Sequence, residues 1–392
     1  MRVQSAHYVL TAASASIVLL TGCIPNSAPP AAGVPPGAGL YESGTSGLAS
    51  AASQSLAERP AVPAAPSAPA SACTDEVVRR LLTPATVDPT PVSLTCRAVL
   101  PPHSTVTRQI VFEGRAASGS SLDCNGGRLE GTAQKGDREA VVIRSRKVGE
   151  SWSRPVDVTL RNCEIMNGLR IYGLGRNGEA PAVKQSSMNR NHTEFAQAAA
   201  PSAIILDNLQ FSNAGGVPLY VSPGVTNVKL SNSRFTGTSS SVAIYLDAES
   251  GGTTIADTIF DLRTQKRELI AVDGSAYNII TGNKFNTASN GGIFLYRNCG
   301  EGGTIRHQAP QYNQIEKNIF AMGGSRKPAV WLNSRNGDRS YCQTDPGHPF
   351  GSGLTSRDMA QYNVVKDNKV AGGGSEAFRN DDPTNRLSNN GK

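Results

Sequence analysis

Asn227-Val228-Lys229-Leu230-Ser231-Asn232-Ser233-Arg234-Phe235 is the phrase on which the fold turns. Val228 and Leu230 alternate with polar residues, as in a strand with one face buried. Asn232 interrupts the alternation and Phe235 resumes it. Asn tolerates the left-handed backbone that a sharp corner needs. The phrase returns over residues 157–165, 254–260, 278–285, 313–320 and 363–370. Aligning its second Asn or Asp gives Asn162, Asn208, Asn232, Asp257, Asn283, Asn318 and Asn368, with gaps of 46, 24, 25, 26, 35 and 50 residues. The period is therefore close to 25, lengthened in some coils by insertions. Short strands at such a period, without a helical pattern, define a solenoid. Asn side chains at one corner of each coil would stack, each amide bonding to the coils above and below.

A second family of strands precedes these corners: Leu169–Tyr172, Leu219–Ser222, Ile244–Asp247, Ile270–Asp273, Ile293–Tyr296 and Val330–Asn333. Their fourth residues, Tyr172, Ser222, Asp247, Asp273, Tyr296 and Asn333, form one ribbon on the surface. Adjacent coils lie about 4.8 Å apart, so Asp247 and Asp273 are expected as neighbours. Two carboxylates that close repel, and one pKa rises. The pair suits a proton shuttle. With Glu249, and with Asn333 as a further oxygen, it would also suit calcium. The plain alternative is a solvated Asp at the end of each strand.

These repeats resemble the right-handed parallel β-helix of the pectin-lyase-like superfamily, over residues 100–372. The resemblance implies an all-β solenoid. Its sugar-cleaving members carry paired Asp on a comparable strand, but their Asn-Thr-Asp and Gly-Asp-Asp motifs are absent here. A leucine-rich repeat would need a Leu-x-x-Leu-x-Leu phrase, which is also absent.

Three insertions leave the solenoid just after the ribbon, at 173–202, 297–311 and 334–360. Long insertions on one edge of a solenoid build its binding face. The first is rich in Asn, Gln and Ala and reads as a mobile lid. The other two carry Arg297, Glu301, Arg306, His307, Arg335 and Arg339. Clustered Arg recognises carboxylate or phosphate through paired hydrogen bonds. Loop Arg is otherwise solvated or paired with acids such as Glu301 and Asp338, and loop His is more often structural. We therefore take Asp247, Asp273, Tyr296, Arg297 and His307 as candidate catalytic residues. Glu301, Arg306, Asn333, Arg335 and Arg339 are the candidate substrate contacts.

At the other end, Arg2 is the only charge in the first 22 residues, and the apolar run Val9–Leu20 is too short to span a membrane. Leu20-Thr21-Gly22-Cys23 resembles the lipobox of bacterial lipoproteins, which implies a lipid anchor on Cys23 and, with Ile24 following, an outer-membrane address. Residues 23–72 are a Pro-, Ala- and Ser-rich tether that cannot bury a core. The β-helix domain runs over 73–372, and 373–392 read as a flexible tail.

The chain has seven Cys in 392 residues. Setting Cys23 aside leaves an even number in an exported chain, which points to disulfides. Neighbour logic pairs Cys73 with Cys96, Cys124 with Cys163, and Cys299 with Cys342. The last pair would clamp the second and third insertions together.

The net charge of +7 is modest, and Lys and Arg form no stripe, so nucleic acid is not the expected partner. A long shallow groove suits an extended chain. The expected partner is an anionic polysaccharide, handled by β-elimination or epimerisation. Inverting hydrolysis with the Asp pair, and a non-catalytic binding or export scaffold, are the alternatives.

Overall fold

A computed structural model describes residues 69–131, 139–175, 180–299, 301–336 and 343–391. Three parallel sheets, each of nine or ten strands, stack coil upon coil, and sequential coils supply neighbouring strands. Crossovers between parallel strands are right-handed for steric reasons. The chain is a right-handed parallel β-helix.

The alternation seen in the sequence puts one side chain in two inside. Leu160, Leu206, Leu230, Ile255, Ile280, Ile315 and Val365 follow one another in register along one sheet. Five residues beyond, Phe211, Phe235, Phe260, Phe285 and Phe320 stack ring on ring, with centroids 4.4–5.0 Å apart. All five are fully buried. Burying one such ring contributes about 1.5–3 kcal/mol, and an aromatic pair adds about 0.5–1.5 kcal/mol.

The corner differs from the expected single ladder by a shift of one residue. Asn162, Asn208, Asn232 and Asp257 sit at positive φ on the outer bend. Gly282, Lys317 and Asp367 occupy the equivalent bend further on. Asn283, Asn318 and Asn368 are the next residue, turned inward and fully buried. On the outer bend one expected step is made, Asn208 Nδ2 donating to Asn162 Oδ1 at 2.8 Å; inside, the ladder runs on: Asn283 Nδ2 donates to Asn318 Oδ1 at 2.9 Å, and Asn318 Nδ2 to Asn368 Oδ1 at 3.0 Å. A second ladder runs through Asn278, Asn313, Asn363 and Asn385, with steps of 2.7–3.0 Å. Counting from the apolar residue rather than from Asn removes the shift, because the buried side chains set the register.

Both ends also depart from the sequence reading. The helix Asp75–Leu82 buries Leu81 against the first coils and closes the core there. The expected tail instead forms a further coil. Phe378–Arg379 pairs with Val330–Trp331, and Arg386–Ser388 with Val364–Lys366. Asn385 and Asn390 continue the two ladders. That coil has few apolar residues, so hydrophobic periodicity does not reveal it.

Part of the first insertion lies among the described residues. It forms helices Pro181–Ser187 and His192–Ala199, which bury Val183, Ala196 and Ala199. Disulfides join Cys73 to Cys96 and Cys124 to Cys163. Cys299 is disulfide-bonded, and Cys342, its expected partner, lies outside the described residues. Cys23 lies outside them as well.

Candidate active site

The six ribbon strands lie side by side in one sheet, and Leu246 pairs with Val272. Asp247 and Asp273 are therefore neighbours in consecutive coils, and both are buried. Arg306, from the second insertion, lies across them. Its Nη1 is 3.1 Å from Asp247 Oδ1, and its Nη2 is 3.8 Å from Asp273 Oδ2. Asn298 donates to Asp273 twice, from its backbone at 2.8 Å and its amide at 2.6 Å. The Ala248 backbone donates to Asp247 at 2.8 Å.

Two phenols complete the cluster. Tyr220 donates its hydroxyl to Asp247 Oδ2 in a short bond, and Tyr245 donates to Asp273 Oδ2 at 2.6 Å. Each Tyr reaches the carboxylate of the next coil.

Burial pushes Asp247 up to about 7; Arg306 opposes the shift and Asp273 adds to it. Burial alone would lower the Arg306 pKa, but Asp273 and Asp247 reverse this and hold it above the usual value. Burial and the facing Asp273 carboxylate raise Tyr245 well above an ordinary phenol. Asp247 can thus gain or lose a proton near neutrality, whereas Tyr245 stays neutral.

The other expected residues scatter around this centre. Tyr296 is buried: Arg267 and Glu268 hold its hydroxyl, and Arg335 lies 3.8 Å above its ring. Burial and Glu268 raise its pKa. The Arg335 guanidinium donates to Asn298 Oδ1. Arg297 points away from the ribbon, donating to Thr355 O at 2.9 Å and Arg357 O at 2.8 Å. Burial lowers its pKa to about 10. His307 bonds Ser187 O through Nε2 at 2.7 Å and packs between His192 and Phe350. Asn333 is buried, with Oδ1 unpaired among the described residues. Arg339 and the side chain of Glu301 lie outside the described residues.

Calcium does not fit the arrangement. Glu249 accepts the backbone N–H of His307 at 2.8 Å and of Gln308 at 3.1 Å, and the Thr193 hydroxyl. Asp247 and Asp273 already face the Arg306 cation. Among the described residues, no three His, Cys, Asp or Glu converge as a metal site.

Sequence reasoning missed the second residue of each ribbon strand. It points outward with the fourth, since side chains alternate with period two. In register these residues are Arg170, Tyr220, Tyr245, Ala271, Phe294, Trp331 and Arg379. Most are half-buried and form the accessible strip beside the clamped carboxylates. Arg267 leans over Tyr245 at 5.5 Å, and Arg379 over Trp331 at 4.6 Å. Asp358 was missed too. Its carboxylate accepts the backbone N–H of Arg297, Arg335 and Asn336 at 2.7–3.2 Å, tying the two insertions together.

A family model described as the right handed beta helix region matches residues 157–334. No curated protein matches the chain. Among solved structures, an alginate lyase from Paenibacillus sp. str. FPU-7 is similar at 10% identity. The match covers 80% of this chain and 95% of that one, with a TM-score of 0.28. Likeness at that level extends to neither substrate nor mechanism. Fold and family model together define the class: a right-handed parallel β-helix protein with a charged cluster on one sheet.

Proposed function

We propose that this β-helix acts on an anionic polysaccharide along the ribbon sheet, by a lyase-like or epimerase-like proton transfer, while tethered to the outer membrane through Cys23. The observation that carries the reading is the hydrogen bond from Tyr220 to Asp247, a carboxyl with a pKa of about 7. Tyr220 can take the proton next to a uronate carboxylate as it passes its own proton to Asp247. In elimination that proton returns by the same route to the departing sugar oxygen, so the protein ends unchanged. Positioned acid–base groups of this kind contribute about 10²–10⁴-fold to a rate. Arg335, half-buried beside the strip and stacked on Tyr296, supplies positive charge for the uronate. The aromatic strip offers faces for the sugar rings on either side.

This assignment moves the chemistry from Tyr296, which is buried, and His307, which bonds Ser187 O, to Tyr220 and Tyr245, which bond the two carboxylates. Inverting hydrolysis fits less well. It needs a water between two carboxyls about 6.5–9.5 Å apart, and here Arg306 fills that space.

One observation favours a second reading, a polysaccharide-binding or export scaffold. Both carboxylates are satisfied within the protein, by Arg306, Asn298, Tyr220, Tyr245 and the Ala248 backbone. Incubation with anionic polysaccharides, followed by ultraviolet absorbance and reducing ends, separates the readings. Unsaturated product supports the lyase. Reducing ends without absorbance mean hydrolysis. Glycan binding with no product, and no change of sugar epimer, means the scaffold.

A further inference from the structure

Away from the ribbon, a cavity of about 280 Å³ opens between the hairpin Arg146–Ser153 and the helices of the first insertion. Trp152 and Phe195 line it, together with the amides of Gln185, Asn189 and Asn191. Its charged groups are Lys147 and Glu150, which lie 3.9 Å apart and offset each other. Phe195 is 40% exposed, on a helix that is otherwise tied down. Thr193 donates to Glu249 Oε2, Gln197 to Glu249 O at 2.9 Å, and Arg154 to Gln197 O at 2.8 Å. An apolar ring held toward water on a fixed element is a pre-ordered contact, which lowers the entropy cost of binding.

We propose that this cavity binds a neutral pyranose unit of a saccharide chain. Sugar rings have an apolar C–H face, which matches Trp152 and Phe195. They also carry hydroxyls that both donate and accept, which the amides of Gln185 and Asn191 match in both senses, while Asn189 Nδ2 is taken up by Gln185 O and Ser186 O and leaves its oxygen to accept. A uronate would bring a charge that Lys147, already faced by Glu150, does not balance. A purely apolar ligand would cover the amides without pairing them. The cavity shares no residue with the clamped carboxylates, so it stands or falls apart from the reading above.

The test is isothermal titration of the full chain with neutral gluco-, galacto- and manno-oligosaccharides, and with oligouronates of equal length. At least one neutral oligosaccharide binds, and Phe195→Ala and Trp152→Ala each weaken it about tenfold, as an aromatic contact of roughly 1.4 kcal/mol requires. Phe195 is exposed, so Phe195→Ala keeps the fold and decides the matter alone if Trp152→Ala does not fold. Oligouronate binding is untouched by either change. The proposal is overturned if no neutral oligosaccharide binds, or if binding survives Phe195→Ala. It is also overturned if Phe195→Ala weakens oligouronates as much as neutral sugars.

Discussion

Two rows of buried polar side chains run along this solenoid, and they are built differently. At the corner, Asn283, Asn318 and Asn368 repeat coil by coil, neutral and mutually hydrogen-bonded. On the ribbon sheet, Asp247, Asp273 and Arg306 are charged and do not repeat, and an insertion holds them in place. Buried atoms without partners lie around the second row: Arg306 Nε, Arg297 Nε, Asn333 Oδ1 and Trp331 Nε1 are unpaired among the described residues. Repetition satisfies the ladder amides, because each coil supplies what the next one needs. A break in the repeat leaves charge and unpaired groups, and natural sequences tolerate such breaks mainly at functional sites.

The largest expected difference between the rows is in stability. Removing one partner of a buried ion pair costs about 3–5 kcal/mol. Arg306→Met should lose that much in urea unfolding, and changing Asp247 and Asp273 to Asn as well should recover much of it. Coupling of this kind is the signature of groups in contact. Asn318→Ala should cost less, since a neutral group left unpaired costs about 1–3 kcal/mol. No second substitution at the ribbon should rescue it.

The rows should also differ in their response to pH. The folded pKa of Asp247, about 7, lies above its ordinary 3.8, so folding favours the protonated form. Its contribution is fully present below about pH 4 and is lost as pH rises through 7. Asp358, raised to about 6 by burial, acts in the same direction. Stability measured across this window should fall with rising pH, and Asp247→Asn should flatten part of the slope. The Asn ladder has nothing to titrate, and Asn318→Ala should leave the slope unchanged.

The smallest effect is expected at the outer bend of the later coils. Tyr277, Tyr312 and Tyr362 stack at centroid distances of 5.1 and 5.3 Å, each at positive φ. Left-handed backbone suits a bulky residue poorly. Tyr312→Asn should lose stacking and relieve strain, leaving thermal stability within about 1 kcal/mol of the parent.

The strands on either side of the corner were legible in the sequence because apolar side chains with a fixed period leave little choice of register, whereas an alignment on Asn mixed the outer bend with the buried position beside it. The neighbouring Asp pair was legible for the same reason. What closes over that pair was not. Arg306 and Arg297 stand in one loop with similar neighbours, yet one clamps the carboxylates and the other bonds carbonyl groups of the third insertion. Loop conformation has no period to read. Tyr220 and Tyr245 were within reach of the sequence, since they share the outward parity of the fourth ribbon position. The last coil escaped notice because Phe378 and Leu387 are its only large apolar residues in strands.

The most direct test of the relay is turnover of an anionic polysaccharide by the parent protein and by Tyr220→Phe. The substitution removes one oxygen from an accessible ring and leaves Arg306 on the carboxylates. The relay predicts a fall in kcat of at least about 10²-fold, with polysaccharide binding retained. Unchanged turnover in Tyr220→Phe would contradict it.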